Sequence, residues 1–276
     1  MLKILRVTLR RCALLLMCVG AASCATPAQR IDARAQNAGL IRTIEQGTAF
    51  QHIVYARDVQ GDATLTVFLE GDGVPWTDGL VPAADPTTRK PLALDLLLAT
   101  KGAALYVTRP CYQSLSDPAC RPELWTFARY GDPVVDSMMR VIATQAAMRD
   151  AKSVRLVGYS GGGVLAVLIA ERLAQVSEVI TIAANLDVAA WSSHHRYLPL
   201  TDSLDPARSE RSHAFREVHL QGALDRTVPS STTQRYFTRY PQAQQRTFAE
   251  FDHVCCWVEQ WSRIEGELRE LGYWVD

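Results

Sequence analysis

The 276-residue chain has no surplus of charge of either sign, because Lys and Arg together number 29 and Asp and Glu also number 29. This balance argues against a nucleic-acid-binding surface. The sequence also has no internal repeat and no low-complexity tract, which excludes repeat architectures. Hydrophobic residues make up 48% and charged residues 21% of the chain. These proportions indicate a globular protein that can bury a sizeable core.

No apolar run is long enough to span a bilayer comfortably, but a short one lies near the start of the chain. Four basic residues among the first eleven precede this run, which extends from residue 12 to 22. That arrangement is typical of a secretory signal peptide, and we assign it to residues 1–23. The signal ends in Ala21-Ala22-Ser23-Cys24, which resembles the lipobox of bacterial lipoproteins, in spite of an alanine where leucine is usual.

The resemblance to lipoproteins implies a lipidated N-terminus at Cys24, with an ordinary signal peptide as the alternative. Ala25 is not the aspartate that is associated with retention in the inner membrane. We therefore expect the protein to be exported and anchored by lipid to the outer membrane, facing the periplasm. Residues 24–50 are polar and rich in alanine, and we interpret them as a tether. The remaining residues, 51–276, suit one large α/β domain or two small ones.

Four cysteines remain after the lipidation site, at positions 111, 120, 255 and 256. An even number in an exported protein favours disulfides. Cys111 and Cys120 flank a turn signal and are the pair that we predict. Adjacent cysteines form only a strained bridge, so Cys255 and Cys256 are either free thiols, a strained pair or partners for the Cys111 loop. A zinc site is the runner-up, and the lack of C-x-x-C spacing argues against it.

Apolar runs of strand length alternate with helical patterns along the mature chain. This alternation predicts an α/β fold, with a mostly parallel sheet and helices on both faces. The polar segment 185–212 is predicted to be a cap or lid. The predicted strands are His52–Arg57, at an edge, and then Thr64–Glu70, Ala103–Thr108, Val154–Val157, Glu178–Ala184, Glu217–Gln221 and Gln245–Phe251. The predicted helices are Pro91–Thr100, Asp132–Asp150 (with Asp132 as N-cap), Val164–Leu173, Thr232–Tyr240 and Val258–Leu271.

The segment G-Y-S-G-G, from Gly158 to Gly162, joins a predicted buried strand to an apolar helix. Strand, G-x-S-x-G and helix together are the context of a nucleophile elbow. The turn is so tight that glycines are needed on both sides of the serine. Ser160 would thus be raised above the sheet at a helix N-terminus, where developing negative charge is stabilised. A plain strand-to-helix loop is the alternative.

A serine nucleophile needs a base, and the base needs an acid. His253 follows the last predicted strand, and Asp225 lies in a turn after the strand before it. We predict that His253 takes the proton from Ser160 and that Asp225 orients the imidazole. Asp187 and Asp252 are the rival acids.

The tetrahedral intermediate of acyl transfer also needs hydrogen-bond donors. The backbone N–H of Gly161 is one candidate, and the loop after the Thr64 strand supplies the other. That loop reads Glu70-Gly71-Asp72-Gly73. The second donor is therefore the N–H of either Gly71 or Asp72, and we expect a cation such as Arg109 to hold the Asp72 carboxylate.

These motifs, in the order serine, acid, histidine, resemble the α/β-hydrolase superfamily over residues 51–276. E-G-D-G-x-P-W, R-P-C-Y and D-H-V-C-C-W further resemble a group of uncharacterised bacterial exported hydrolases. The resemblance implies a serine hydrolase that cleaves a small-molecule or lipid-like ester through an acyl-Ser160 intermediate, with no cofactor and no metal. A thioesterase, peptidase or acyltransferase of the same fold, a ligand-binding lipoprotein without catalysis and a structural envelope component are the alternatives.

Overall fold

A computed structural model of the chain describes residues 25–58 and 63–274. The predicted signal peptide and the lipidation site at Cys24 lie outside the described residues. The strands are Ile41–Gln46 (β1), Gln51–Arg57 (β2), Thr64–Leu69 (β3), Trp76–Thr77 (β4), Val81–Pro82 (β5), Ala104–Val107 (β6), Ser153–Tyr159 (β7), Val176–Ile182 (β8), Arg216–Gly222 (β9) and Gln244–Phe248 (β10). The α-helices are Pro27–Asn37 (α1), Leu92–Ala99 (α2), Asp132–Met148 (α3), Gly161–Ala170 (α4), Val188–His194 (α5), Gln234–Arg239 (α6) and Trp261–Glu270 (α7).

Eight strands form one sheet in the order β1-β2-β6-β3-β7-β8-β9-β10, and β4 and β5 form a separate small hairpin. All neighbouring strands from β6 to β10 are parallel, whereas β2 is antiparallel to both of its neighbours. The carboxyl ends of the six parallel strands therefore meet at one edge of the sheet. Ligand sites in open α/β sheets lie at this edge.

Helices cover both faces of the sheet, as the sequence predicts. One apolar cluster packs α3 and α4 against residues such as Leu65 and Val67, and the other packs α1, α2 and α7 against residues such as Phe68. Because successive side chains of a strand point to opposite faces, β3 contributes to both clusters. Every residue of α4 is buried, which is expected of a helix that is apolar on all sides.

The structure corrects the prediction that residues 24–50 form a tether, because most of this segment is folded into the domain. Thr26 and Gln29 make a capping box at the start of α1. Ile31 and Ala35, four residues apart, bury one face of that helix in the core. Strand β1 then pairs along its full length with β2. The apolar face of α1 is narrow and most of its other residues are polar, so the segment has the composition of a tether.

Two smaller expectations also change. The predicted edge strand at 52–57 is internal, since β1 covers it. The N-cap of α3 is Gly131, and Asp132 is the first helical residue. Among the described residues, no helix is both long enough and apolar enough to cross a membrane.

The four cysteines among the described residues are paired in two disulfides. Cys111 and Cys120 are joined with an S–S distance of 2.05 Å, as the sequence predicts. Cys255 and Cys256 are joined to each other, so neither is a free thiol and neither reaches the Cys111 loop. With all four sulfurs in disulfides, the alternative of a zinc site built from them does not hold.

Candidate active site

The strand-to-helix turn after β7 is built as the sequence predicts. Ser160 lies between β7 and α4 with φ 51° and ψ −124°, a backbone conformation that residues other than glycine rarely adopt. The flanking glycines make this turn sterically feasible. A Cβ on Gly158 would lie 2.4 Å from the carbonyl oxygen of Gly162, and one on Gly162 would lie 2.2 Å from that of Leu69. The close approach of backbones thus depends on G-x-S-x-G.

Asp225 and His253 are brought together at the same edge of the sheet. The Nδ1 atom of His253 lies 2.8 Å from Oδ2 of Asp225. The other oxygen, Oδ1, accepts the backbone N–H groups of Thr227 and Val228, each at 2.8 Å. These two donors fix the carboxylate, which is almost fully buried. A fixed, buried carboxylate can orient an imidazole and stabilise its protonated form.

The two rival acids are engaged elsewhere. Asp187 caps α5 by accepting the N–H of Ala190 at 2.8 Å, and it also pairs with Arg235. Asp252 is exposed, and its Oδ1 atom accepts the N–H groups of the two residues that follow His253, each at 2.7 Å. Of the three candidate acids, Asp225 alone is hydrogen-bonded to His253 in the described residues.

Ser160 and His253 line one cavity of about 750 Å³. The ring of Tyr159, which precedes the serine, lies 5.3 Å from the ring of His253. In residues 25–58 and 63–274, no group is hydrogen-bonded to the Ser160 hydroxyl or to Nε2 of His253, so both are available to a bound molecule. Large apolar side chains form much of the wall, namely Trp76, Leu80, Phe127, Trp191, Leu198 and Leu200.

The loop after β3, which is predicted to supply an oxyanion donor, narrows the choice that the sequence leaves open. The N–H of Gly71 is donated to Oε1 of Glu70 at 3.1 Å, so it is already paired and the prediction of Gly71 as a donor is corrected. Gly71 still packs closely on Ser160, since a Cβ there would lie 3.3 Å from Cβ of Ser160. The N–H groups of Asp72 and Gly161 have no acceptor among the described residues. These two groups are the available pair of donors.

The carboxylate of Asp72 is held by two buried cations. Arg109 lies 2.7 Å from Oδ1 and Arg129 lies 2.9 Å from Oδ2, while the Tyr130 hydroxyl donates to the same carboxylate. Burial alone would raise the pKa of Asp72, but Arg109 and Arg129 outweigh it and leave the pKa below its usual value. A Cβ on Gly161 would lie 1.9 Å from Oδ1, so this carboxylate packs directly against the backbone at the start of α4.

Sequence reasoning found Arg109 as a partner of Asp72 but missed Arg129 and Tyr130. Both follow the 3₁₀ helix Pro122–Trp125 and reach the site only because the chain folds back. It also missed the role of Glu70, whose second oxygen accepts the N–H of Ala93 at the start of α2. None of the three belongs to a motif whose spacing would predict such a contact.

The segment predicted as a cap, 185–212, does border the cavity. In it, α5 is joined to the loop that carries Asp225, since Trp191 and His195 both approach the carbonyl oxygen of Thr227, at 2.8 and 2.7 Å. Residues 196–198 and 200 line the cavity beyond the end of this helix. Whether the segment closes as a lid stays a prediction.

Glu70 gives a testable pH dependence. It is buried and faces Tyr106 and the two backbone donors, and burial raises its pKa from 4.5 to about 7. The folded state therefore binds a proton that the unfolded state has lost between these pH values, so stability falls as pH rises from about 4.5 to 7. We expect wild type to lose about 3 kcal/mol relative to Glu70→Gln over this range. Urea unfolding at pH 5 and pH 8 measures the difference.

The control for this prediction is Glu250→Gln, at an exposed position. Its free energy of unfolding should follow that of wild type at both pH values. Equal pH dependence of wild type and Glu70→Gln would show that the Glu70 carboxyl titrates normally in the folded protein.

No family model matches the chain, and no curated protein matches it either. Solved structures do match. The Pyrococcus furiosus esterase Pf2001 superposes with a TM-score of 0.61 at 13% identity, over 85% of this chain and 94% of the esterase. XC6422 from Xanthomonas campestris, an α/β serine hydrolase without a lid, gives a TM-score of 0.54 at 13% identity, over 84% of this chain and 94% of that one.

This chain has the α/β-hydrolase fold. A puromycin hydrolase is similar too, with a TM-score of 0.58 and 16% identity over 85% of this chain and 40% of the other. At such identities the likeness establishes an α/β-hydrolase architecture, and the chemistry has to be argued from the site itself.

Proposed function

We propose that this α/β-hydrolase is a serine hydrolase that cleaves an ester through an acyl-Ser160 intermediate. The observation that carries the proposal is the 2.8 Å contact between Asp225 and His253, beside the cavity onto which the strained Ser160 opens. Strain of this kind persists where the surrounding structure holds a functional geometry. The similarity in fold to an esterase and to a serine hydrolase supports the same class of reaction.

The mechanism follows from the groups that face the cavity. Nε2 of His253 takes the proton as Ser160 Oγ attacks the ester carbonyl carbon, and Asp225 stabilises the imidazolium. The carbonyl oxygen becomes an oxyanion, which accepts hydrogen bonds from the backbone N–H groups of Asp72 and Gly161. His253 then gives the proton to the leaving alcohol. Water then gives a proton to His253 and attacks the acyl carbon, and His253 returns that proton to Ser160 Oγ as the acid is released.

The size and lining of the cavity support a small-molecule or lipid-like ester as substrate. A volume of about 750 Å³ is within the range of small-molecule pockets. Aromatic and leucine side chains form much of the wall, and charged and polar residues such as Asp72, Lys90 and Arg196 line the rest. A substrate with an apolar part beside its ester group fits this lining. Peptide and thioester cleavage would use the same groups, and a panel of matched esters, thioesters and amides separates these activities.

A fluorophosphonate probe tests the proposal. We expect it to label wild type covalently, since the activated Ser160 oxygen displaces fluoride at phosphorus, and to leave Ser160→Ala unlabelled. The control is Ser192→Ala, which removes another buried serine, in helix α5. This variant should label normally. Mass spectrometry of the intact chain reads the adduct. Unlabelled wild type would favour a ligand-binding protein with this fold instead, and labelling of Ser160→Ala would show that another residue is the reactive nucleophile.

We also propose that the protein is exported and anchored by a lipid on Cys24, at the outer membrane and facing the periplasm. The pattern of residues 1–24 supports this location. Metabolic labelling with a fatty acid should mark wild type and not Cys24→Ser.

A further inference from the structure

Exposed large apolar side chains are concentrated around the mouth of the cavity. Leu80 is 83% exposed, Leu198 is 71% exposed and Tyr197 is 56% exposed, and all three line the cavity. Val81, next to Leu80 in the β4–β5 hairpin, is also exposed. We name these four residues the apolar rim. Apolar groups clustered in this way on a surface mark an interaction site.

The apolar rim consists of two segments that are far apart in the sequence. Leu80 and Val81 belong to the tip of a hairpin that starts at Trp76, whereas Tyr197 and Leu198 follow α5. The hairpin is attached to the wall through Trp76, whose ring packs edge-on against Phe127 with 5.5 Å between centroids. Both segments of the rim therefore border the same cavity that Ser160 lines.

The exposed charges that line the cavity have one sign. Lys90 and Arg196 are both exposed, and neither has an acidic partner in the part of the chain that the structure describes. The acidic residues of the lining are Glu70, which is buried, and Asp72, which two arginines neutralise. Exposed apolar side chains with unpaired cations beside them are the combination that binds at the interface of anionic lipids.

The start of the folded domain lies close to the same region. Ile31 of α1 borders a small void together with Glu70 and Thr88, and these two residues also line the main cavity. A chain that enters the domain through α1 therefore approaches the end of the sheet where the cavity opens.

From these observations, we propose that the apolar rim, with Lys90 and Arg196, docks the protein on an anionic lipid surface, so that the cavity opens toward the lipid. Side chains of the rim enter the boundary between headgroups and acyl chains, and the two cations contact headgroup phosphates. This surface is a property of the fold that does not depend on hydrolysis, so it goes beyond the proposed function. Its test is a binding measurement that Ser160→Ala should leave unchanged.

The experiment measures partition onto vesicles of phosphatidylglycerol and phosphatidylcholine by sedimentation. It uses the full chain with Cys24→Ser, so that no acyl group contributes to the binding. We expect the variant Leu80→Ser/Leu198→Ser to bind at least about tenfold more weakly than wild type, since two leucines are withdrawn from the interface. We expect Lys90→Gln/Arg196→Gln to lose most of the preference for anionic over neutral vesicles.

The matched control is Ile41→Ser/Ile44→Ser, which removes two other exposed apolar side chains, 57% and 49% exposed, from the outermost strand β1. Its partition should equal that of wild type. Three results would overturn the proposal: no binding of wild type to anionic vesicles, an equal loss in the β1 control, or equal binding to neutral vesicles. Failure to bind vesicles, together with rim-dependent crosslinking to a protein, would identify a protein partner as the occupant.

Discussion

Replacement of Asp225 by asparagine is expected to lower kcat by about 10⁴-fold and to leave the fold intact. The reason lies in the two backbone N–H groups that bind Oδ1 of Asp225. An asparagine must keep its carbonyl oxygen there, because its amide nitrogen cannot accept from those donors. The amide nitrogen then faces Nδ1 of His253 and donates to it. His253 is forced into the tautomer with its proton on Nε2, which cannot take a proton from Ser160.

The control for this prediction is Asp252→Asn, which alters the acid adjacent to His253 in sequence. Its carboxylate is bound to backbone N–H groups and not to the imidazole, so kcat should stay close to that of wild type. Steady-state kinetics on a p-nitrophenyl ester measures both variants, and circular dichroism verifies their folding. The assignment of Asp225 as the acid is wrong if both variants lose activity equally, or if Asp225→Asn keeps wild-type kcat.

The variant Asp72→Ala should lower the free energy of unfolding by about 3–5 kcal/mol. Arg109 and Arg129, whose side chains are only 2% and 5% exposed, would be left buried without their shared carboxylate. A residue that only shaped the site would affect catalysis more than folding, whereas the two buried arginines make a large effect on folding the expected result. Urea unfolding at pH 7 measures the loss.

The surface pair Asp58–Arg149 provides the matched control, since Asp58→Ala removes the same group from a bridge with an exposed aspartate. We expect that change to cost no more than about 1 kcal/mol. The Asp72 contribution also has a defined pH dependence. Because the pKa of Asp72 is lowered on folding, its contribution is complete above the unfolded pKa and disappears as the pH falls through the folded one. A variant as stable as Asp58→Ala would show that the buried cluster contributes little.

Local patterns predicted the fold and the central part of the site. The strand, the G-x-S-x-G turn and the apolar helix around Ser160 are contiguous, so sequence alone determines their geometry. Asp225 and His253 could be placed because each directly follows a strand, and strand ends meet at one edge of a parallel sheet. Their contact needed no knowledge of side-chain packing beyond that rule.

The parts that sequence did not predict depend on contacts between distant segments. Arg129 reaches Asp72 across 57 residues of chain, and no spacing rule connects two such positions. Gly71 was a candidate donor until the neighbouring Glu70 carboxylate was seen to accept its N–H. The polar helix α1 resembled a tether because only a narrow apolar face, with Ile31 and Ala35, docks it on the core. In each case tertiary packing selects among states that local chemistry permits.

The early start of the folded domain limits how far an anchored molecule can travel. Only Ala25 and Thr26 separate Cys24 from the first residue of α1. Fully stretched, that link reaches roughly 10 Å. With an acyl chain on Cys24, as proposed, the folded domain would be held next to the membrane surface without a flexible linker. It would then act on molecules in the leaflet that carries its anchor, and not on those that diffuse far from it.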